Sequence, residues 1–111
     1  MNKPITVFVT APGELEAKKI SAAVLKKKLV ACASIIKDVD SSYWWKGKIE
    51  HSKESLIIMK TDKKLFNKLA AEVRRVHSYL VPEIIAFPIT SGNPAYLKWI
   101  NESVIKSKIK Y

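Results

Sequence analysis

Cysteine is nearly absent from this chain. Cys32 stands alone, so no disulfide can close within it, and such a chain suits a reducing compartment. Glycine is scarce, at three residues, and no Gly-rich loop of the kind that cradles phosphate is present. Arginine is scarcer still: Arg74 and Arg75 stand side by side against eighteen lysines. An acylphosphatase-type enzyme needs a phosphate-gripping arginine in a loop, and both arginines fall in a helical stretch. No Ser-His-Asp or Cys-His pair is set up by spacing, so catalysis is not expected. No apolar run is long enough to cross a membrane, and the start, Met1-Asn2-Lys3-Pro4, leads into a short β-branched run without a signal-cleavage pattern. A cytoplasmic protein with no membrane contact is the expectation.

What is present is charge and aromatic surface. The 111 residues suggest one domain, 1–111, and a hydrophobic fraction of 48% excludes disorder as the main state. The net charge of +10 raises a polyanion as a partner. Against that, the lysines are spread along the whole chain, and base readers favour arginine. The Lys/Arg-Gly-aromatic-Gly/Ala-aromatic signature of RNA-recognition modules is missing. A lysine-rich solvated surface is therefore expected, and nucleic acid is not expected as a partner. Three tryptophans and four tyrosines are more amphipathic ring surface than one small core hides, so another subunit is expected to cover some of it.

Periodicity gives the order βαββαβ followed by a further helix. Residues 5–10 are apolar and β-branched, a central strand. Pro12-Gly13 ends it, and Glu14 and Glu16 suit a helix start. Leu15, Ile20, Ala23 and Val24 mark the inner face of that helix. A second strand runs from about Val30 towards Trp45, Lys46-Gly47-Lys48 forms a tight hairpin, and a third strand covers 49–60. Its polar half, 50–55, is expected to project beyond the core. Thr61 is the expected N-cap of a second helix with Asp62 in its first turn, and Leu65, Leu69, Val73 and Val76 recur at helical spacing. A fourth strand, 84–90, contains Pro88 and so belongs at an edge. Pro94 opens a last helix with Tyr96, Leu97, Ile100 and Val104 as its apolar stripe, and the polar tail from Lys106 is expected to fray. This is an α+β, ferredoxin-like sandwich with an additional C-terminal helix. One sheet face is left naked, and the long second and third strands carry Tyr43, Trp44 and Trp45 near their hairpin. Both features predict an obligate homo-oligomer.

Four segments carry a family resemblance. Leu29-Val30-Ala31-Cys32-Ala33-Ser34-Ile35 is similar to a Leu-x-Ala-Cys-x-Asn-Ile segment. Tyr43-Trp44-Trp45-Lys46-Gly47-Lys48-Ile49 is similar to a Tyr-x-Trp-x-Gly-Lys hairpin. His77-Ser78-Tyr79-Leu80-Val81-Pro82-Glu83-Ile84 matches His-x-Tyr-x-Val-Pro-Glu-Ile, and Tyr96-Leu97-Lys98-Trp99-Ile100 matches Tyr-x-x-Trp-Ile. Together they resemble the CutA family of divalent-cation tolerance proteins. The resemblance implies a ferredoxin-like subunit in a tight homotrimer, similar in architecture to PII signalling proteins. It also implies tolerance of copper and other divalent cations, with Cys32 and His77 as the copper-binding positions. Ser34 departs from the family's asparagine. The further upstream cysteine of some members is missing, which leaves no thiolate-rich site.

Each candidate residue has two readings. Cys32 is either a small core residue or a soft thiolate suited to copper(I). His77 either closes a helix, where its cationic form meets the negative helix end, or ligates metal. Glu83, beside Pro82, is either a hard oxygen ligand for zinc or copper(II) or the partner of a neighbouring subunit's lysine. Met59 reads as core, His51 as solvated, Tyr79 as an interface cap, and Trp44, Trp45 and Trp99 as contacts between subunits. The expected metal residues are thus Cys32, His77 and Glu83, with copper as the cation and no single subunit supplying a complete ligand set. The alternative function is a PII-like sensor that holds a small anionic ligand at subunit clefts, lined by residues 77–83 and nearby lysines.

Overall fold

Alternation along β1 (Pro4–Ala11) organises the sheet. Its odd residues Ile5, Val7, Val9 and Ala11 are buried, while Thr6, Phe8 and Thr10 turn to the other face. The computed structural model describes residues 2–106. In it β1 pairs antiparallel with β3 (Lys48–Asp62) on one side and β4 (Ile84–Pro88) on the other, and β2 (Cys32–Trp45) pairs outside β3. The sheet order is β2-β3-β1-β4, the arrangement expected of a ferredoxin-like sandwich. The register sets Val7 beside Met59 and Val9 beside Ile57. α1 (Glu14–Lys26) and α2 (Phe66–Val76) cover that face with Ala17, Ile20, Val24, Leu69 and Val73. Burying each large side chain there contributes about 1.5–3 kcal/mol.

Several expectations are corrected. Leu15 is 85% exposed, and the inner stripe of α1 is Ala17, Ile20, Ser21 and Val24. At 3.6 residues per turn Leu15 points about 200° away from Ala17. Thr61 is not a cap. It faces the core beside Ile5, and its hydroxyl donates to Leu29 O at 2.7 Å. Asp62 caps instead, accepting from Lys64 N at 2.9 Å and Lys3 N at 3.0 Å, and opens a 3-10 turn, Lys63–Leu65, before α2. The second strand begins at Cys32, because Lys28 (φ 54°) turns the chain and Leu29 and Val30 are spent in the core. β4 stops at Pro88, on the edge that proline requires.

β2 and β3 run on beyond β1 as a two-stranded arm. A β-bulge between Ile36 and Val39, with Asp38 at φ 57°, marks where the arm leaves the sheet. Lys46 and Gly47 both have positive φ, which makes its tip a type I′ turn. The arm stretches the subunit to 48 Å in its longest dimension. Its polar half does project, except that Glu54 and Ser55 are buried at its root. α3 (Pro94–Ser103), capped by Asn93 Oδ1, lies over the end of the open face near Cys32 and buries Ile100. The tail expected to fray after Lys106 lies outside the described residues.

α1 and α2 are clasped by Glu72. It accepts from Arg75 at 2.6 and 3.1 Å and from Lys27 at 2.9 Å. The Arg75 bonds first, and then that of Lys27, hold its carboxyl down at about 2, from an ordinary 4.5. A depressed carboxylate stabilises the fold fully above its unfolded value and loses that contribution as pH falls through the folded one. Glu72→Gln is therefore expected to be less stable than wild type at pH 7, with the gap closing between pH 4.5 and about 2. Urea unfolding at a series of pH values reads this; a gap unchanged with pH rules out the clasp.

Candidate functional site

Residues 77–83, which join α2 to β4, are tied down side chain by side chain. The His77 ring is fully buried. A carbonyl can only accept, so Nε2–H donates to Thr10 O at 2.7 Å, and Nδ1 accepts from Tyr79 N–H at 3.0 Å. Glu16 Oε2 stands 3.4 Å from the same Nδ1, but its hydrogen bonds go to Ser78 N and Ser78 Oγ, each at 2.9 Å. Tyr79 O–H donates to Glu54 Oε2 at 3.0 Å. Burial first, then the Glu54 carboxylate, pushes the Tyr79 phenol up to about 12. One short connection is thus anchored to β1, α1 and β3.

Between this connection and the root of the arm lies a cleft of about 570 Å³. Three carboxylates line it: Asp40 from β2, Glu54 from β3 and Glu83 from the connection. Tyr43, Trp45 and Leu80 supply apolar wall, and no lysine or arginine is among the described lining residues. Glu54 is buried and held by Tyr79, whereas Glu83 is exposed and makes no ion pair among the described residues.

The structure separates the expected metal residues. Cys32 sits opposite Lys60, which sits opposite Thr6, so its side chain faces the open side of the sheet. His77 follows α2 on the covered side. Strand alternation therefore puts the thiol and the imidazole on opposite faces. Both His77 nitrogens are already in use, and Glu83 is at the cleft rather than beside Cys32. The half-buried Cys32 Sγ lies 3.7 Å from Tyr96 Oη, a contact that raises the Tyr96 pKa. Met59 is fully buried in the core, and His51 is exposed with Nδ1 2.9 Å from Ser42 Oγ. Among the described residues no three His, Cys, Asp or Glu side chains gather closely enough to hold an ion. The donors of one subunit do not fit a copper centre.

The family profile described as CutA1 divalent ion tolerance protein matches residues 5–103. The chain belongs to this family. It is 39% identical over 97 residues to the divalent-cation tolerance protein CutA of Thermus thermophilus, covering 87% of this chain and 94% of that one. It is also 47% identical over 95 residues to mouse Protein CutA and 40% identical over 103 residues to the chloroplastic CutA 1 of rice. These matches take in 86% and 93% of this chain, which spans little more than half of those relatives, 54% and 58%. Among solved structures, CutA1 from Oryza sativa superposes with a TM-score of 0.92 at 39% identity, covering 95% of this chain and 96% of that one. The periplasmic divalent cation tolerance protein CutA from Archaeoglobus fulgidus gives 0.89 at 40% identity, covering 92% of this chain and 99% of that one. These likenesses bear out the CutA resemblance and the sandwich.

The sequence points to the 77–83 connection and to Glu83, whereas the carboxylate that the connection itself engages on β3 is Glu54. Glu54 falls in the polar strand half expected to project, Glu16 reads from the sequence only as a helix-start residue, and no motif marks Asp40 or Thr10. Only the register reveals them, because Glu54 reaches Tyr79 across a gap of 25 residues. The clamp predicts its own energetics. His77→Ala orphans the Thr10 carbonyl and is expected to cost about 2 kcal/mol, and Tyr79→Phe about 1 kcal/mol. Urea denaturation measures both; a neutral His77→Ala would mean that the ring holds nothing in place.

Proposed function

We propose that this chain serves divalent-cation tolerance as a cytoplasmic homotrimer that binds copper and performs no catalysis of its own. The uncovered sheet face carries the assembly. Ile36, Ile85 and Phe87 are 49%, 46% and 40% exposed there, and Trp44 and Trp45 are 72% and 50% exposed on the arm. α3 reaches only one end of that face. Exposed apolar surface of this extent on so small a subunit marks a protein interface.

The cation reading rests on the cleft and on Cys32. Of the three carboxylates only Asp40 has a basic partner among the described residues, Lys53 Nζ at 2.8 Å, so the cleft keeps an acidic excess that favours a cation over the small anion of the PII-like alternative. Cys32 supplies a soft donor on the face that a partner covers, and Glu83 a hard one at the cleft mouth. His77 joins only by giving up its bonds to Thr10 and Tyr79. A second subunit must complete any ligand set, since no three donors converge among the described residues of one. The absence of turnover is supported by the same contacts: Cys32 meets a phenol rather than a base, and His77 is locked to backbone at both nitrogens. The cytoplasmic assignment rests on the single unpaired cysteine, and no described helix is long and apolar enough to cross a membrane.

Native mass spectrometry is expected to show three chains at micromolar concentration. Phe87→Asp, which places a charge on the open face, is expected to shift the population to single chains. A folded wild-type monomer would sink the assembly. Copper titrated into metal-free protein is expected to bind, and Cys32→Ala with Glu83→Gln to lose at least about tenfold in affinity, some 1.4 kcal/mol. Binding unchanged in that double variant removes both residues from the site.

A further inference from the structure

Lysines that are scattered along the sequence gather in the fold. The two helical stretches that cover the sheet, 14–28 and 63–76, hold ten of the twenty basic residues and only three carboxylates. The excess is densest where the end of α1 meets α2. Lys27 and Arg75 flank Glu72 at 2.9 and 2.6 Å, and Glu72 itself is more than nine-tenths buried. Lys68 joins them along a shallow groove of about 430 Å³ that Leu29 and Ile105 also line. A backbone bond from Ile105 N to Lys28 O, 2.9 Å, brings Lys28 and Lys106 to the same corner. All five cations are exposed. Glu72 is spent on Lys27 and Arg75, so among the described residues Lys28, Lys68 and Lys106 have no counter-charge in the groove, Lys106 Nζ donating only to the Asn101 carbonyl at 3.3 Å.

We propose that this corner docks the phosphodiester backbone of duplex nucleic acid, by charge and without reading bases. Lysine ammonium groups meet phosphates as point charges. No aromatic ring is among the described residues that line the corner, so none of them offers bases a surface to stack on. Membrane-surface helices set Trp, Phe or Leu beside their lysines, and here a single partly exposed leucine, Leu25, is near. The corner is on the side of the sheet away from the open apolar face, so self-association leaves it accessible. The sequence-based argument against a polyanion rested on the lysines being dispersed; the packing of α1 on α2 removes that premise.

Fluorescence anisotropy with a mixed-sequence DNA duplex, at a series of salt concentrations, tests this on the full chain. One variant carries Lys28→Asn, Lys68→Gln and Lys106→Gln, which spares the Glu72 clasp. A control carries Lys46→Asn, Lys48→Gln and Lys98→Gln, with the same loss of charge on the arm and α3. Unchanged circular dichroism shows that both are folded. The wild type is expected to bind at low salt. The corner variant is expected to lose about tenfold or more, with a log–log salt slope shallower by about 2.7, at 0.9 per lost phosphate contact, and the control to stay within about twofold. Equal losses in the two variants would assign binding to total charge and overturn the proposal. So would no wild-type binding at low salt, or binding to phosphatidylglycerol vesicles without binding to the duplex.

Discussion

The side chains of β1 and β3 alternate, so each residue that packs under the helices forces its neighbour onto the opposite face. Val7 and Val9 turn inward with Met59 and Ile57, and Phe8 and Ile58 must then turn out. A one-residue slip would exchange the two sets and bring Thr6, Thr10 and Lys60 under the helices, so the register is fixed. The open face is therefore built into the pairing, and Phe8 and Phe87 already stack on it edge to face at 4.7 Å. Association costs roughly 4–15 kcal/mol in lost freedom. Each large side chain taken out of water returns about 1.5–3 kcal/mol. The residues on the face and arm are only part exposed, so each returns a fraction of that, and together they reach the same order as the cost.

The same pairing explains why residues 77–83 are so constrained. A connection that leaves α2 must cross the end of β1 to reach β4, and its backbone passes beside strand ends whose carbonyls need partners. His77 satisfies Thr10, Glu16 satisfies Ser78, and Glu54 accepts from Tyr79. The clamp leaves Glu83 and Leu80 exposed at the wall of an acidic cleft. Residue types that suggest catalysis or ligation from the sequence are here consumed by backbone. A histidine with both nitrogens bonded is a poor ligand however often it accompanies a signature.

Much of the fold was legible because it follows from period and punctuation. The strand alternation, Lys46-Gly47, Pro88 at an edge and Pro94 at a helix start each have a local cause. Leu15 falls off the Ala17–Ile20–Val24 stripe by helical period alone, whereas the inward turn of Thr61 depends on register with β1, which no window of sequence contains. The site was less legible for the same reason. Cys32 and His77 share a family pattern, yet strand alternation sends one to the open face while the other closes a helix on the covered face. The buried carboxylate, Glu54, sits in a run that reads as solvated until its partner Tyr79 is placed.

The two faces of the sheet have opposite chemistry, and that limits which partners each can take. The open face exposes Ile36, Ile85 and Phe87 and is edged by tryptophans, so it suits shape-matched protein surface, which in the proposed assembly is another copy of the chain. The helical face holds a dense positive charge anchored by a carboxylate whose pKa is too low to be neutralised near pH 7. Self-association through the helices would bring like charges together at several kcal/mol of cost. In the proposed assembly, charge thus disfavours an interface through the helices and leaves the apolar side as the one to pair. Any polyanion met by the protein then finds the basic corner outward, and more than one copy of it whenever subunits assemble, so that weak contacts to one corner add through effective concentration rather than through any new contact.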